Sequence, residues 1–490
     1  MNISMRNLFF MLSTIMLARL FLAWLIPYAD TTEARYAEIA RLMVQTGDWI
    51  TPWFDEGVPF WGKPPLSFWL QALSFKLFGI SEFAGRFPAW LASLGIITII
   101  YQVGLHLHRR PFSESAKHYA LIAGLIYASS TLGFISAATV MTDAFFVLGT
   151  TLTIGSFIIR LRNGSNLWSW LFFIGLVIGA LSKGPLAFVI SSGPILVWVI
   201  VNNAWIRLWR LLPWLRGILL AILLTLPWYV LAEIKTPGFI DYFIIGEHFK
   251  RFVISGWEGD LYGNAHDFPR GTVWLYLIIA FLPWPLLMLY RYFGSLRRGN
   301  LKPSVCKSEL PDTRLILLSA ILVPSVFFTF AGNILWTYVL PSLPFLALAT
   351  GGLVANDSRV TSNFWTSMSL TLLIPLAFSV YGLWLGLNPD NIKSEKGLIV
   401  RAEVISEKGL ENVFYVGRLP FSARFYSSNK VKSINQSTVI NGLSVSPGNS
   451  IFLAVRKKDV KNLTEKGIIS SALYENKRYM LFKYTLKADE

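Results

Sequence analysis

The chain has 490 residues, of which 54% are hydrophobic and 15% are charged, and its mean hydropathy is +0.51. A soluble globular protein carries about 25% charged residues, so this composition excludes one and indicates an integral membrane protein. The formal charge of +16 would suggest a nucleic-acid partner on a soluble fold, but in a membrane protein the position of the basic residues decides its meaning. The single cysteine, Cys306, excludes an internal disulfide and a metal site built from cysteines.

Apolar runs of about 18 residues or more predict membrane-spanning helices. The first run is too long for the apolar part of a signal peptide and lacks a cleavage site of small residues, so we expect it to remain as an anchor. Arg19 within this run predicts a structural charge pair inside the helical bundle. About eleven spans are predicted, at residues 7–28, 87–107, 118–136, 143–160, 167–182, 185–203, 217–233, 271–292, 314–331, 338–355 and 364–387.

The basic residues assign the loops to the two membrane faces. If the N-terminus is cytoplasmic, the short loops on that face carry 16 Lys and Arg against four acidic residues, which is a strong positive-inside bias. Two long loops then lie on the outer, extracytoplasmic face. We call them the first loop, residues 29–86, and the second loop, residues 234–270.

The polar segment at residues 388–490 differs from the apolar bundle at residues 1–387. It has 17 basic and 10 acidic side chains and alternates strand-like runs, such as Val413 to Val416 and Ile451 to Val455, with helix-like ones. This pattern predicts a small soluble α/β domain, the C-terminal domain, which an odd number of spans puts on the outer face. The chain contains no GxG, GxxxxGK[ST] or HExxH motif, so the sequence does not indicate soluble nucleotide chemistry or that metalloprotease site.

The first loop begins with a segment of helical periodicity. Apolar or aromatic residues at 36, 39, 40 and 43, with Gly47 as a stop signal, predict an amphipathic helix on the membrane surface. Asp30 and Glu33 at its start are candidate catalytic acids. The alternative is structural, because an Asp30 N-cap followed by Glu33 three residues later also forms a capping pair.

Further candidates follow the same loop and end the apolar helices. Lys63 stands between aromatic residues and Pro64-Pro65, where an ammonium group could hold an anionic headgroup, although ordinary snorkelling is the alternative. Asp143, Lys183 and Tyr338 lie at the outer ends of spans. Charged groups are costly in lipid and therefore mark a cavity or an interface, although Asp143 could alternatively be a helix N-cap.

The second loop clusters histidines with cations. His248 and Arg251 lie in its Gly246 to Phe252 run, and His266 and Arg270 lie in its Gly263 to Arg270 run. Two histidines 18 residues apart match no metal-ligand spacing, so contacts to phosphate or sugar are favoured over a metal site. Arginines are suited to bidentate contacts with phosphate oxygens.

All these candidates fall on the outer face. The topology that puts them there was derived from the basic residues of the opposite loops, independently of the candidates. Carboxylates and phosphate-binding cations at one membrane surface are what transfer from a lipid-linked phosphate donor requires. The cations would stabilise the leaving phosphate, and a carboxylate would orient or deprotonate the acceptor.

The residues from Asp30 to Arg41, Gly47 to Pro52, Lys63-Pro64 and Glu247 to Phe252 resemble the membrane glycosyltransferases of the GT-C fold. Within that family, the chain is similar to the ArnT-type aminoarabinose transferases that act on lipid A and to the protein O-mannosyltransferases. The resemblance covers residues 1 to about 355. It implies a bundle of about 11–13 spans with outer loop helices, a polyprenyl-phosphate sugar donor, transfer on the extracytoplasmic face and, by analogy, inversion at the sugar carbon.

The resemblance also implies roles for individual residues. The family's acidic-Glu-x-Arg-Tyr element corresponds to Thr32 to Tyr36, so Thr32 replaces the usual catalytic aspartate and Asp30 is the expected substitute. Gly62 and Phe60 depart from the Glu and Tyr of the ArnT pattern, which leaves open a divalent metal and the identity of the sugar. The expected catalytic residues are Asp30, Glu33 and Asp143, and the expected substrate-binding residues are Arg35, Tyr36, Lys63, Lys183, His248, Arg251, His266, Arg270 and Tyr338.

The sequence therefore predicts a glycosyltransferase of the bacterial inner membrane with its site on the periplasmic side. The donor is an undecaprenyl-phosphate sugar, with 4-amino-4-deoxy-L-arabinose as one candidate, and the acceptor is lipid A, lipopolysaccharide or another envelope molecule. Neither a nucleic-acid partner nor a metal ligand is assigned. The alternatives are a lipid-linked sugar flippase, an enzyme similar to the protein O-mannosyltransferases, and a scaffold that binds through its C-terminal domain.

Overall fold

The computed structural model describes residues 4–108, 110–263, 266, 268–296, 311–355, 364–406, 409–440, 450–469 and 471–485. These residues form a bundle of apolar helices followed by a small domain with a mixed β-sheet. The helices of the bundle and its loops are α1 (Met5–Leu25), α2 (Thr32–Thr46), α3 (Leu66–Phe78), α4 (Glu82–Leu107), α5 (Glu114–Ser129), α6 (Thr131–Ser136), α7 (Asp143–Leu161), α8 (Leu167–Lys183), α9 (Leu186–Asn202), α10 (Trp205–Leu211), α11 (Trp214–Lys235), α12 (Arg251–Val253), α13 (Thr272–Ala280), α14 (Trp284–Leu296), α15 (Pro311–Thr329), α16 (Leu343–Ala355) and α17 (Phe364–Leu387).

Each of the eleven predicted spans coincides with a helix or with two consecutive helical segments. Within the described residues, six helical segments are by themselves long and apolar enough to cross a membrane, and the bent pair α13 and α14 could form a seventh. The helices α8 and α9 are apolar but shorter. The prediction of an integral membrane bundle is confirmed.

The bend between α13 and α14 has an identifiable cause. The two helices meet at 93°, and Pro283 lies in the break between them. Proline has no N–H and its ring clashes with the preceding turn, so Pro283 favours a bend or a break in the helix at this point. The carbonyl of Leu282 accepts a hydrogen bond from the Thr131 N–H at 2.9 Å, which ties the bend to the start of α6.

Glycines allow α7 and α8 to approach closely. A Cβ at Gly149 would lie 2.6 Å from the Gly179 nitrogen and 2.7 Å from the Gly175 oxygen. Apolar attraction between helices is weak in lipid, so small residues at the crossing let van der Waals contacts hold the pair together. This contact fixes the two helices whose outer ends carry Asp143 and Lys183.

Arg19 is buried, and it donates hydrogen bonds to three carbonyls around the end of α6 rather than being satisfied by a carboxylate. The acceptors are the oxygens of Phe134, Ile135 and Ala138, at 3.1, 3.0 and 2.6 Å. Helix C-terminal carbonyls attract a cation, so this arrangement satisfies the arginine within the bundle. Arg19 therefore has a structural role inside the bundle, as predicted, but its main partners are backbone carbonyls and not the opposite charge that was predicted.

The helix α2 is more enclosed than an amphipathic helix lying on a membrane surface. Ala37 and Ala40 are fully buried, and even the ion pair between Glu38 and Arg41 is 1% and 3% exposed. The reason is that helix α19 (Phe421–Tyr426) of the C-terminal domain and helix α3 both pack against α2. The capping alternative for Asp30 is wrong, since α2 begins at Thr32 and no side chain caps it.

The C-terminal domain is a mixed sheet with helices, as predicted. Its helices are α18 (Lys396–Ile405), α19 (Phe421–Tyr426), α20 (Gln436–Ile440) and α21 (Lys457–Glu465), and the sheet order is β4-β3-β5-β7-β6. The predicted strand-like runs form β3 (Val413–Val416) and β5 (Ser450–Arg456), which pair in parallel. The remaining strands are β4 (Lys432–Ile434), β6 (Ala472–Glu475) and β7 (Tyr479–Thr485), while β1 (Trp53–Asp55) and β2 (Val58–Pro59) form a hairpin in the first loop.

We expect Gly149→Ala to destabilise the protein by about 1–3 kcal/mol, because the added methyl group would overlap the α8 backbone, which cannot rotate away. Thermal unfolding of the purified protein in detergent measures this. Gly95→Ala is the matched control, since its Cβ would meet only the flexible end of Leu148 at 3.0 Å. Equal unfolding temperatures for the two variants would contradict the close helix crossing.

Candidate active site

An ion pair joins the start of α7 to the end of α8. Asp143 is the first residue of α7 and Lys183 is the last residue of α8, so the two antiparallel helices bring these side chains to the same end of the bundle. The Lys183 Nζ lies 2.6 Å from the Asp143 Oδ1, and both side chains are 11% exposed. The sequence-based expectation that these two residues share one face is therefore met by direct contact.

Tyr338 completes the surroundings of Lys183. The ammonium lies 5.8 Å from the centroid of the Tyr338 ring and 5.4 Å from that of Phe146. Tyr338 lies in the short helical turn Trp336–Ser342, and its ring stacks on that of Phe328. Aromatic faces attract cations, so the two rings stabilise the charged lysine in a largely buried position.

A second group of charges meets at Glu247. Its carboxylate Oε2 lies 3.6 Å from the Lys63 Nζ of the first loop and 2.8 Å from the Arg251 Nη1 of its own loop. Arg251 is also 3.3 Å from Asp260 Oδ2. Two cations from separate loops thus converge on one carboxylate, which lies in a π-helix, Asp241–Lys250, of the kind frequently found at functional sites.

Burial raises the pKa of the Glu247 carboxyl, but Lys63 and Arg251 outweigh burial and bring that pKa below its usual range. The pKa of the Lys63 ammonium is lowered, first by burial and then by the nearby Arg251 and Arg35, while Glu247 opposes the decrease. The negative charge of Glu247 therefore helps to keep Lys63 protonated.

His248 connects the Asp143–Lys183 ion pair with the second group of charges, at Glu247. Its Nδ1 lies 2.7 Å from the Phe243 oxygen, and its Nε2 lies 3.0 Å from the oxygen of Lys183. Burial lowers the pKa of this histidine. Because both of its ring nitrogens contact backbone oxygens, the half-buried His248 ties the second loop to the turn that carries Lys183.

Arg35 and Tyr36 enter from α2. The Arg35 guanidinium donates to the Tyr262 oxygen and lies 5.1 Å and 5.8 Å from the ring centroids of Tyr36 and Phe60. Its buried Nε has no hydrogen-bond partner within the described residues. Burial raises the pKa of Tyr36, and the charges acting on this phenol include Asp143, Glu247 and Lys183. Tyr36 thus lies near both groups of charges.

Asp30 and Glu33 lie outside this arrangement. Glu33 forms an ion pair with Arg86 at 2.7 Å and accepts a hydrogen bond from the Val140 N–H at 3.0 Å. Burial raises the pKa of Glu33, but Arg86 more than compensates and the net pKa is below its usual range. Asp30 bonds to the C-terminal domain through Ser422 and Arg478. Their catalytic roles stay predictions that these contacts do not support.

His266 and Arg270 are exposed. The His266 N–H donates to Asn333 Oδ1 at 2.9 Å, and its pKa is lowered by burial of part of the ring and by Arg251. His266 is therefore close to the second group of charges. Arg270 lies in the turn just before α13.

Sequence reasoning missed Glu247, Asp260 and Tyr262. Glu247 had a usable signal, because it precedes Arg251 by four residues, a spacing that pairs opposite charges on a helix. The structure also explains why a glycine fits at position 62. A Cβ there would lie 2.9 Å from the Phe60 ring and 3.3 Å from Glu247 Oε1, so Glu247 fills the space beside Lys63 that a side chain at position 62 would need.

Among the described residues, no three His, Cys, Asp or Glu side chains come together as a metal-binding group. Cations such as Lys63, Arg251 and Arg35 are chemically suited to bind an anion, and a carboxylate such as Asp143 is suited to accept a hydrogen bond.

Comparisons with known proteins show which proteins this chain is similar to in sequence and in fold. The family model of dolichyl-phosphate-mannose-protein mannosyltransferases matches residues 5–243. The undecaprenyl phosphate-alpha-4-amino-4-deoxy-L-arabinose arabinosyl transferase of Aeromonas hydrophila is 31% identical over 378 residues, 73% of this chain and 64% of that protein. The protein of that name from Pectobacterium carotovorum is 28% identical over 84% of this chain and 70% of its own length.

The crystal structure of ArnT from Cupriavidus metallidurans bound to undecaprenyl phosphate matches with a TM-score of 0.73 and 16% identity, over 97% of both chains. This likeness shows the fold. The chain spans 64%, 55% and 59% of the lengths of the first three curated relatives it matches.

Arg86→Ala should destabilise the protein by about 3 kcal/mol, because it removes a buried guanidinium and leaves the partly buried Glu33 carboxylate without its cation. Chemical or thermal unfolding in detergent measures the loss. Lys117→Ala is the control, since its pair with Glu114 is exposed and its removal should leave stability unchanged. Equal stability of the Arg86 variant and the unsubstituted protein would contradict the structural role of the Glu33 pair.

Proposed function

We propose that this chain, which is similar to the arabinosyl transferases named above and shares the fold of ArnT, transfers a sugar from a polyprenyl phosphate to an acceptor on the extracytoplasmic face of its membrane. One observation carries this proposal: Lys63 and Arg251, from two separate loops, converge on a single buried carboxylate. A phosphate group carries the same kind of charge as that carboxylate and can engage both cations.

The donor phosphate would bind to Lys63 and Arg251, with Arg35 contributing its unpartnered Nε. Arginine offers a planar fork that matches phosphate oxygens, and lysine adds a compact charge. In a largely buried position these cations act on a phosphate more strongly than they would in water. They therefore stabilise the negative charge that develops on the phosphate as the sugar leaves.

Asp143 is the carboxylate that the geometry favours for the acceptor. In the proposed step, the bond between the sugar C1 and the phosphate oxygen breaks, and the electron pair leaves with the phosphate. The acceptor hydroxyl forms a new bond to C1 and gives its proton to Asp143. Lys183 holds Asp143 in place through their ion pair, and the Tyr338 ring lies beside the Lys183 ammonium. Asp30 has both carboxylate oxygens engaged elsewhere and is not suited to this step.

The proposed location is the bacterial inner membrane, with the transfer on its periplasmic side. The strong positive-inside bias of the opposite loops supports this orientation. The names of the relatives point to 4-amino-4-deoxy-L-arabinose as the first sugar to test. Lipid A is the first acceptor to test, because the family resemblance of the sequence implies it. A donor with mannose tests the alternative suggested by the family model.

The deciding experiment follows labelled sugar from a panel of undecaprenyl-phosphate donors to lipid A and other envelope acceptors. The purified protein is reconstituted in nanodiscs and assayed with and without a chelator. Transfer from one donor supports the proposal and identifies the sugar. If no donor is consumed while labelled carrier crosses a liposome bilayer, the protein is a flippase and the proposal is wrong.

Lys63→Ala should reduce transfer by about 100-fold or more, because the leaving phosphate loses a buried cation. Initial rates with the productive donor measure the effect. Lys76→Ala is the matched control in the same loop, since Lys76 is exposed on α3 and packs over Trp49. Near-normal transfer by the Lys63 variant would remove this lysine from the phosphate site.

Glu247→Gln should shift the loss of phosphate binding to lower pH. Burial already lowers the pKa of Lys63, and Glu247 opposes that decrease, so removing its charge lowers the pKa further. Lys63 then loses its proton, and its attraction for phosphate, at a lower pH than in the unsubstituted protein. Binding of undecaprenyl phosphate measured against pH tests this. Asp241→Asn, an exposed change in the same π-helix, is the control, and an unshifted midpoint for Glu247→Gln would contradict the coupling.

A further inference from the structure

Three acidic residues of the first loop form ion pairs with cations of the C-terminal domain. Asp30 pairs with Arg478, Asp55 with Arg424 at 2.7 Å, and Glu82 with Lys396 at 2.6 Å. These acids lie near the beginning, the middle and the end of the loop. The C-terminal domain therefore contacts the first loop at points distributed along its whole length.

The Asp30 contact uses the entire carboxylate. Its Oδ1 accepts from the Ser422 N–H at 2.9 Å, and its Oδ2 accepts from the Ser422 hydroxyl at 2.6 Å and from Arg478. Its own N–H donates to the oxygen of Lys393 at 2.8 Å. The Asp30 side chain is only 2% exposed, so it faces the domain interface rather than a substrate.

The Glu82 contact is also more than an ion pair. Its Oε1 accepts from Lys396 at 2.6 Å and from the Tyr426 hydroxyl at 2.9 Å. The Tyr426 oxygen in turn accepts from the Tyr28 N–H at 2.8 Å. The end of α19 is thereby fixed to both ends of the first loop.

Aromatic packing continues from α19 to the candidate active site. The Phe421 ring centroid lies 5.2 Å from that of Phe54, which stacks on Phe60 at 6.2 Å. Phe60 then lies 4.6 Å from the Tyr262 ring and 5.8 Å from the Arg35 guanidinium. Close-packed side chains transmit displacements, so a shift of α19 would move the residues that hold Arg35.

We propose that the C-terminal domain positions the first loop for sugar transfer, with Asp30 as a positioning residue held by Ser422 and Arg478. This inference rests on the proposed function. The three ion pairs and the Phe421 contact keep α2 and the β1–β2 hairpin in the arrangement that brings Arg35, Tyr36 and Lys63 to the donor phosphate. Loss of a contact would lower the fraction of molecules with an assembled phosphate site.

Charge reversal at Asp55 and Arg424 tests the contact between the two regions. Arg424→Glu and Asp55→Arg should each lower kcat/KM for the donor about threefold to tenfold, and the double variant should recover most of that loss. Lys457→Glu is the matched control, because Lys457 pairs with Glu475 inside the C-terminal domain. Two single losses without recovery in the double variant would overturn the pairing as the cause.

Asp30→Asn separates positioning from chemistry. The amide keeps the shape of the side chain and can still accept a hydrogen bond from the Ser422 N–H, so a positioning role predicts a loss of about tenfold or less, mainly in donor KM. Ser422→Ala should produce part of the same loss. A fall in kcat of about 100-fold or more in Asp30→Asn, with normal kinetics in Ser422→Ala, would assign Asp30 to the chemistry instead.

Hydrogen–deuterium exchange tests the contact between the first loop and the C-terminal domain without depending on sugar transfer. Arg424→Glu should increase exchange in residues 32–55 and leave the spans unchanged, whereas Lys457→Glu should change neither. If the unsubstituted protein transfers no sugar but Arg424→Glu loosens the first loop, the proposed function fails and the domain contact stands. Unchanged exchange in Arg424→Glu overturns the positioning role, whatever the activity of the protein.

Discussion

The buried ion pair between Asp143 and Lys183 is the contact around which the outer end of the bundle is arranged. A charge removed from water must be paired, and these two are supplied by antiparallel helices that glycines hold in close contact. The backbone carbonyl of Lys183 is hydrogen-bonded to the His248 ring, and this contact fixes the position of the second loop. Arg251 and Glu247 follow on the same loop, so the ion pair between two spans helps to determine where the second loop meets Lys63 of the first loop.

The charges around Glu247 are also paired with one another, but here two cations share one carboxylate. Glu247 is shared between Lys63 and Arg251, and Arg251 also contacts Asp260, so each cation is satisfied before any ligand arrives. Under the proposed function, a polyprenyl phosphate would compete with protein carboxylates for these cations. This competition would limit how tightly the lipid product is retained after transfer, since Glu247 can pair with both cations again as the phosphate leaves.

The sequence predicted what depends on local composition. Hydropathy located the spans, and the distribution of basic loops brought Asp143, Lys183 and Tyr338 to one face, where the structure has them in contact or close proximity. It could not predict the partners of Asp30, because Ser422 and Arg478 are 392 and 448 residues away and no periodicity connects them. Glu33 was ambiguous for a related reason: a buried acid near a helix start has the same sequence pattern whether it binds a substrate or, as here, Arg86.

The contact between the first loop and the C-terminal domain has a consequence for how such proteins can diverge. Three carboxylates in one region are matched to three cations that follow the last span. Exchanging the C-terminal domain alone with that of a distant homologue would leave buried acids such as Asp30 without counter-charges. The loop and the domain must therefore change together in evolution, as a single inherited unit, even though the whole transmembrane bundle separates them along the chain.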